Sequence, residues 1–300
     1  MNESTEVQSP SPITTRDVYT LVTNRIVEQL EKGTVPWQQP WIDAGTPQNL
    51  LSERPYTGIN VLLLATLGYE QNCFLTLEQV KEIGAKVNKG EHGNLVVFWK
   101  LMRKRLDQTE DREEHKLSYL LRYYYVFNIA QCTGISKQLI PIVERPNEPI
   151  KACENVVKGM PHPPTIQHKE SEAYYHPQTD VLNMPKRKQF VDSEHYYGTL
   201  FHELVHSTGH TKRLNRKEVV HGDNFFGSES YSIEELTAQI GACFLMSHTG
   251  IENKCWENSI AYIDVWLEVL KKDKRFIVYA SSQAQRAVDY ILNRIREPVE

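Results

Sequence analysis

The chain has 300 residues, 40% of them hydrophobic and 24% charged, with a formal net charge of −4; that is ordinary globular composition, with length enough for one or two cores. No run approaches the roughly 18 consecutive apolar residues of a membrane helix, and the start of the chain carries neither the basic stretch nor the apolar run of a secretory signal, so a cytoplasmic protein with no membrane partner is expected. The cysteines at 73, 132, 153, 243 and 255 are odd in number and form no CxxC pair, which argues against a disulfide scaffold or a Cys-type zinc ribbon.

In chain order, residues 1–14 are polar and rich in Pro and Ser, and a disordered tail is expected. Thr14 and Asp17 fit a helix start, and Val18, Leu21, Val22, Ile26 and Leu30 follow at helical spacing up to Gly33. Pro36, Trp37, Pro40 and Trp41 mark a loop. Asn60–Gly68 reads as a short buried helix, and Thr76 with Gln79 caps another that ends near Gly84. Leu95–Lys100 and Tyr119–Ile129 read as strands, joined by an exposed, charged hairpin loop. The segment 15–132 is thus an α+β domain.

Residues 133–165 carry Gly134, Pro141, Pro146, Pro149, Gly159, Pro161, Pro163 and Pro164 and are expected to be a linker. The segment 166–300 reads as a second domain, mainly helical with a small sheet. It holds a strand hairpin over Tyr174–Met184, then helices over His195–His210, Ser232–Met246, Trp256–Leu270 and Phe276–Ile295. The fold class is therefore two-domain α+β. With no heptad pattern and no long exposed apolar stripe, a monomer is expected.

His202-Glu203-Leu-Val-His206 is an HExxH motif within a helical pattern. Histidines at i and i+4 share a helix face and can reach one ion, while Glu203 lies beside it and can accept a proton from water. A catalytic zinc site needs a third protein ligand. The extended pattern HExxHxxGxxH fails, because Gly209 is present but Lys212 stands at the third histidine's place. Glu235 on the next helix is preferred, with Glu234 and His210 as alternatives; Ser232 and Glu235 also fit a capping box, which would leave Glu235 closing the helix start. Ala238 would allow close helix packing, and Gln239 could support a ligand. Two His and one Glu suit zinc best, with manganese possible. The chemistry expected of such a site is peptide hydrolysis, with Glu203 as the base, Tyr231, His210 and His176 as candidate oxyanion donors, and Tyr174–Met184 offering an edge strand to a peptide.

Charge in the first half is blocked rather than mixed. Residues 81–105 hold Lys81, Lys86, Lys89, Lys100, Arg103, Lys104 and Arg105 against Glu82 and Glu91, and residues 107–114 are acidic. Trp37, Trp41, Trp99, Tyr124 and neighbouring aromatics interleave with these cations and with Arg122. Flat rings for bases and cations for phosphates are what a single-strand binder needs. Tyr123, Tyr125 and Phe127 fall on one strand face, Arg122, Tyr124 and Val126 on the other; the same pattern also fits a core strand edged by solvated charge.

These residues, taken together, resemble the ArdC family of plasmid-encoded antirestriction proteins. The likeness runs over about residues 15–295. It is carried by Gly33-Thr-Val-Pro-Trp37, Pro40-Trp41, Arg54-Pro-Tyr-Thr-Gly58-Ile-Asn60, Lys89-Gly-Glu91, Val96-Val-Phe-Trp-Lys100 and Tyr124-Tyr-Val-Phe-Asn128 in the first half. In the second half it is carried by Tyr197, Phe201–His210, Arg213-Leu-Asn-Arg216, Phe226-Gly-Ser228, Glu234-Glu-Leu236 and the runs around Ala261, Trp266, Asp273 and Ala284. The resemblance implies an N-terminal domain that binds single-stranded DNA and a C-terminal zincin-like metallopeptidase domain, acting in conjugation to shield incoming plasmid DNA. His202, Glu203 and His206 carry over directly; Gln239 stands where the family commonly has an acidic residue. Two other readings remain at this level: a DNA-occluding protein with a structural or relict metal, and a dedicated protease whose first half recognises protein.

Overall fold

The computed structural model describes residues 15–33, 35–36, 45–105, 115–141, 149–220, 228–251 and 259–294. The N-terminal tail, the loop bearing Trp37 and Trp41, and the acidic stretch 107–114 lie outside the described residues. Helix α1 (Thr15–Glu31) buries Val18, Val22, Ile26 and Leu30 of the predicted stripe but leaves Leu21 41% exposed, and Gly33 follows it at φ 75°. After the short strand β1 (Gln48–Asn49) comes α2 (Ile59–Ala65), whose apolar residues are all buried. Between β2 (Cys73–Thr76) and α3 (Leu77–Glu82) the capping box forms as predicted: Gln79 N donates to Thr76 Oγ1 (3.2 Å) and Thr76 N to Gln79 Oε1 (2.9 Å).

The ribbon strand β3 (Lys86–Val87) precedes the two long strands β4 (Asn94–Arg105) and β5 (His115–Asn128), and β6 (Cys132–Thr133) pairs back with β3. The main sheet has the order β1-β2-β5-β4, with β1 and β2 parallel and the other pairs antiparallel. Both long strands outrun their apolar stretches. Arg103, Lys104 and Arg105, expected in a loop, pair with Leu117, Lys116 and His115, because the backbone ladder continues into the charged sequence. At the sheet's edge, Asn60 acts as a surrogate strand: its side chain donates to Val97 O (2.7 Å) and accepts from Val97 N (2.8 Å).

The stretch expected as a linker instead contains helix α4 (Pro149–Gly159), and Cys153, Val156 and Met160 are buried in a core. The punctuating residues flank this helix rather than interrupt it, and proline at a helix's first position sacrifices no hydrogen bond. Next come β7 (Thr165–Gln167), β8 (Tyr174–His176) and β9 (Val181–Asn183), a small sheet of order β7-β9-β8. Helices α5 (Ser193–Thr208), α6 (Lys217–Val220), α7 (Glu229–Thr249), α8 (Ser259–Lys272) and α9 (Phe276–Ile291) complete the chain. Among the described residues, no helix is long and apolar enough to cross a membrane.

The two halves share a core. One cluster draws Val22 and Leu30 from α1, Leu62 from α2 and Leu95 and Val97 from β4, and packs them with Leu236 and Ile240 of α7, Trp266 of α8 and Ile277 of α9. A second cluster lies within the second half, around α4, α5, α7 and β9. Leu30→Ala should therefore cost about 2–5 kcal/mol, and chemical denaturation followed by circular dichroism and by tryptophan fluorescence should show one coincident transition. Two separated transitions would show that the shared cluster does not couple the halves.

Candidate metal centre and nucleic-acid face

Helix α5 starts at Asp192, whose side chain accepts from His195 N (2.8 Å), and buries Leu200, Phe201, Leu204 and Val205. This leaves His202 and His206 stacked along one side, where α7 packs. The two helices come close because residue 241 is glycine: a Cβ there would lie 2.8 Å from Val205 Cγ2. Ala238 is fully buried in the same contact region, as close packing requires. The N-cap of α7 is Ser228, whose hydroxyl accepts from Tyr231 N (3.2 Å). Ser232 and Glu235 therefore sit inside the helix, and Glu235 is not a capping residue.

The donor atoms of His202, His206 and Glu235 lie within 4.8 Å of one another. The two Nε2 atoms are 3.1 Å apart, and the Glu235 carboxylate approaches His202 Nε2 at 3.5 Å and His206 Nε2 at 3.4 Å. Glu234 takes a different position: its Oε1 lies 3.0 Å from His206 Nδ1, the far side of the same imidazole. Behind it, Arg216 grips both Glu234 oxygens, Nε to Oε2 at 2.9 Å and Nη2 to Oε1 at 2.5 Å. Arg216 also donates to Thr208 Oγ1 and to Val205 O on α5.

Burial alone would lower the His206 pKa, but its hydrogen bonds to Glu234 and Glu235 prevail and hold it well above 6.5. Burial likewise opposes ionisation of Glu235, which the two histidines reverse, and of Glu234, which the Arg216 charge and His206 reverse; both carboxyls lie below their usual range. The pull that holds a proton at this cluster is equally a pull on a metal cation. Two nitrogens and a carboxylate converging in a half-buried wall are a donor set suited to a divalent ion.

The cluster opens into a cleft of about 350 Å³ that Glu203, Glu218, Val219 and Tyr231 also line, together with Ala173–Tyr175 and Pro177. Glu203 is 8% exposed. Strand β8 is an edge of its sheet and runs along this cleft, as the hairpin reading anticipated. Its turn is anchored by Arg213, which pairs with Asp180 and donates to Tyr175 OH and to Ser207 O at the end of α5.

Of the other candidates, Tyr231 lines the cleft and Gln239 is buried one turn beyond Glu235. His210 accepts from Lys212 N past the end of α5, and His176 meets Thr179; neither belongs to the cluster or lines the cleft. Arg216, Thr208 and Glu218 were not identified from sequence. Arg216 left a trace only as the last residue of the quoted Arg213–Arg216 run.

In the first half, Phe98, Lys100, Arg122 and Tyr124 share one face of the β4–β5 pair and are exposed. The Phe98 and Tyr124 rings meet edge to face at 5.7 Å. Trp99 lies on the opposite face with Tyr119 and Tyr125, all about half exposed or more. Lys86 and Lys89 are exposed near the separate β3–β6 ribbon. The structure thus groups Lys100, Arg122 and Tyr124, adds Phe98, and leaves Trp99, Lys86 and Lys89 apart from them.

Two family models match the chain: the N-terminal domain of anti-restriction factor ArdC over residues 16–127, and a zincin-like metallopeptidase over residues 158–283. The chain is 34% identical to the uncharacterised protein y4eC of Sinorhizobium fredii, over 94% of this chain and 93% of that one. It is 33% identical to a DNA primase TraC of Escherichia coli, of which it spans 20% of the length. Its structure is similar to two crystal structures of the antirestriction ArdC protein from the R388 plasmid. The metal-free one gives a TM-score of 0.75 at 33% identity, covering 93% of this chain and 100% of that one. The Mn(II)-bound one gives 0.73 at 35%, covering 92% and 97%.

Arg216→Met should strip the buried Glu234 of its guanidinium partner and leave it only His206, costing about 3–5 kcal/mol in urea unfolding. The same change should weaken divalent-metal binding roughly 10–100-fold in calorimetric titration, since His206 loses its oriented partner. Unchanged affinity would show that the clasp does not position the histidine.

Proposed function

We propose that this chain, which belongs to the ArdC family of antirestriction proteins, binds transferred single-stranded DNA through segment 15–132 and carries a metallopeptidase site in segment 166–300. The observation that carries the second part is the convergence of His202, His206 and Glu235 on one point. These three side chains would hold a divalent ion, zinc or manganese. Bound there, the ion supplies Lewis acidity to a scissile carbonyl and to water.

The chain's own residues account for the remaining steps. Glu203, next to His202 and facing the cleft, accepts a proton from water and returns it to the departing amine. Glu234, held by Arg216, fixes the His206 ring through Nδ1 so that Nε2 faces the cluster. The edge strand β8 offers unpaired backbone groups to an extended peptide beside the cleft, and Tyr231 stands in the same wall to donate to an oxyanion.

For DNA, the exposed Phe98 and Tyr124 rings provide stacking faces, and Lys100 and Arg122 beside them provide charge for phosphates. Mn(II) is bound in the R388 relative; its fold and donor-bearing domain are what make the same metal class reasonable here. A DNA-occluding protein whose metal is structural remains the alternative, favoured by the depth to which Arg216 and Glu234 are buried around His206.

Labelled single- and double-stranded DNA titrated against the full chain at two salt concentrations should show tighter, salt-sensitive binding to the single strand. Tyr124→Ala should cost about 1–3 kcal/mol, and Arg122→Ala should reduce the salt slope by about one. Absence of binding at low salt would remove the DNA reading. Glu203→Gln should retain metal and abolish peptide cleavage; if it leaves antirestriction in cells intact, hydrolysis is dispensable for that role and the alternative gains.

A further inference from the structure

The cleft contains a buried carboxylate that the metal cluster does not use. Glu218 lies in the single turn α6, and its side chain is 3% exposed. Gly209, at the end of α5, lets Val219 press against the helix terminus, since a Cβ at 209 would collide with the Val219 side chain. That contact sets Glu218 in the cleft wall. Tyr279 donates its hydroxyl to Glu218 Oε1 (3.1 Å). Oε2 is buried and has no hydrogen-bond partner among the described residues.

The two basic residues that precede it in the chain do not hydrogen-bond it. Arg216 directs its guanidinium at Glu234, Thr208 and the carbonyl of Val205. Lys217 has a head 79% exposed to solvent and 3.9 Å from Oε1, a geometry that contributes little. Glu218 is also outside the His202–His206–Glu235 donor set. A buried, half-satisfied carboxylate is costly to the fold, and such departures concentrate at binding sites. The same cleft is lined by Tyr174, Tyr175 and Tyr231, a residue type that attracts cations.

We propose that Glu218 forms a subsite for a cationic group of the substrate, an ammonium or guanidinium, seated beside the metal cluster. The subsite selects peptides that place a lysine or arginine side chain, or a free amino terminus, in this part of the cleft. The peptide part of this inference rests on the peptidase reading above; the cation part does not.

The test uses the full chain loaded with zinc and with Glu203→Gln in place to stop turnover. Calorimetry would measure butylammonium, butylguanidinium and three peptides: one with an internal lysine and acetylated end, its norleucine counterpart, and the latter with a free amino terminus. Both small cations should bind, and at least one charged peptide should bind more tightly than the norleucine peptide. Which of the two charged peptides binds identifies the source of the charge. Adding Glu218→Gln should weaken the charged ligands by roughly tenfold or more, leave the norleucine peptide unchanged, and leave the melting temperature equal or higher, because a buried charge is removed.

Equal affinity of the norleucine peptide and both charged peptides, a measurement that needs no Glu218 variant, would overturn the subsite while leaving the peptidase reading intact. So would unchanged cation binding in Glu218→Gln, or no binding of any cation by the protein that retains Glu218. Small cations bound through Glu218 with no peptide binding would keep the subsite and remove the peptidase reading.

Discussion

A buried ion pair joins the end of α5 to the start of α7, and the site is organised around it. Arg216 enters from the chain beyond α5, returns to Val205 and Thr208 on that helix, and closes on both oxygens of Glu234 from α7. Neither charge would be tolerable alone at that depth. Because Glu234 also meets His206 Nδ1, the pair fixes the rotation of the imidazole. Glu235, the next residue on α7, is then carried to the Nε2 side of both histidines. One electrostatic contact sets helix spacing, ring orientation and ligand approach together.

The apolar packing is arranged to permit that contact. Gly241 removes the side chain that would hold α5 and α7 apart, and Gly209 does the same for α6. The opposite side of α7 serves a different purpose, since Leu236 and Ile240 enter the core shared with α1, α2 and β4. The helix bearing Glu234 and Glu235 is thereby packed against the elements that support the aromatic and basic face of β4 and β5.

Much of this was legible in the sequence, for identifiable reasons. His202 and His206 declare themselves because helix geometry alone brings i and i+4 together, and the surrounding apolar residues already have helical period. The Thr76–Gln79 cap and the α1 stripe are local in the same sense. Glu234 and Glu235 are adjacent in sequence, and only the packing of α7 on α5 places Glu235 at the Nε2 atoms and Glu234 at Nδ1 of His206. The strand ends at Arg105 and His115 are not legible in the sequence because cross-strand backbone pairing, which carries no apolar pattern there, forms them. Helix α4 was missed because its prolines and glycines, read one by one, looked like interruptions when they lie at its borders.

The sequence by itself determined the family and brought His202, Glu203 and His206 together, since these depend on residue identity at short, fixed spacing. It also showed where aromatics and cations are concentrated. Only the tertiary structure decided which carboxylate faces Nε2 and which faces Nδ1, that Arg216 is buried between them, and that Glu218 shares the cleft. It also sorted Phe98, Lys100, Arg122 and Tyr124 onto one face and Trp99 onto the other. Each of those outcomes depends on how close two elements distant in the chain approach, and on which side of each meets the other; side-chain volume and burial settle that, and residue spacing does not.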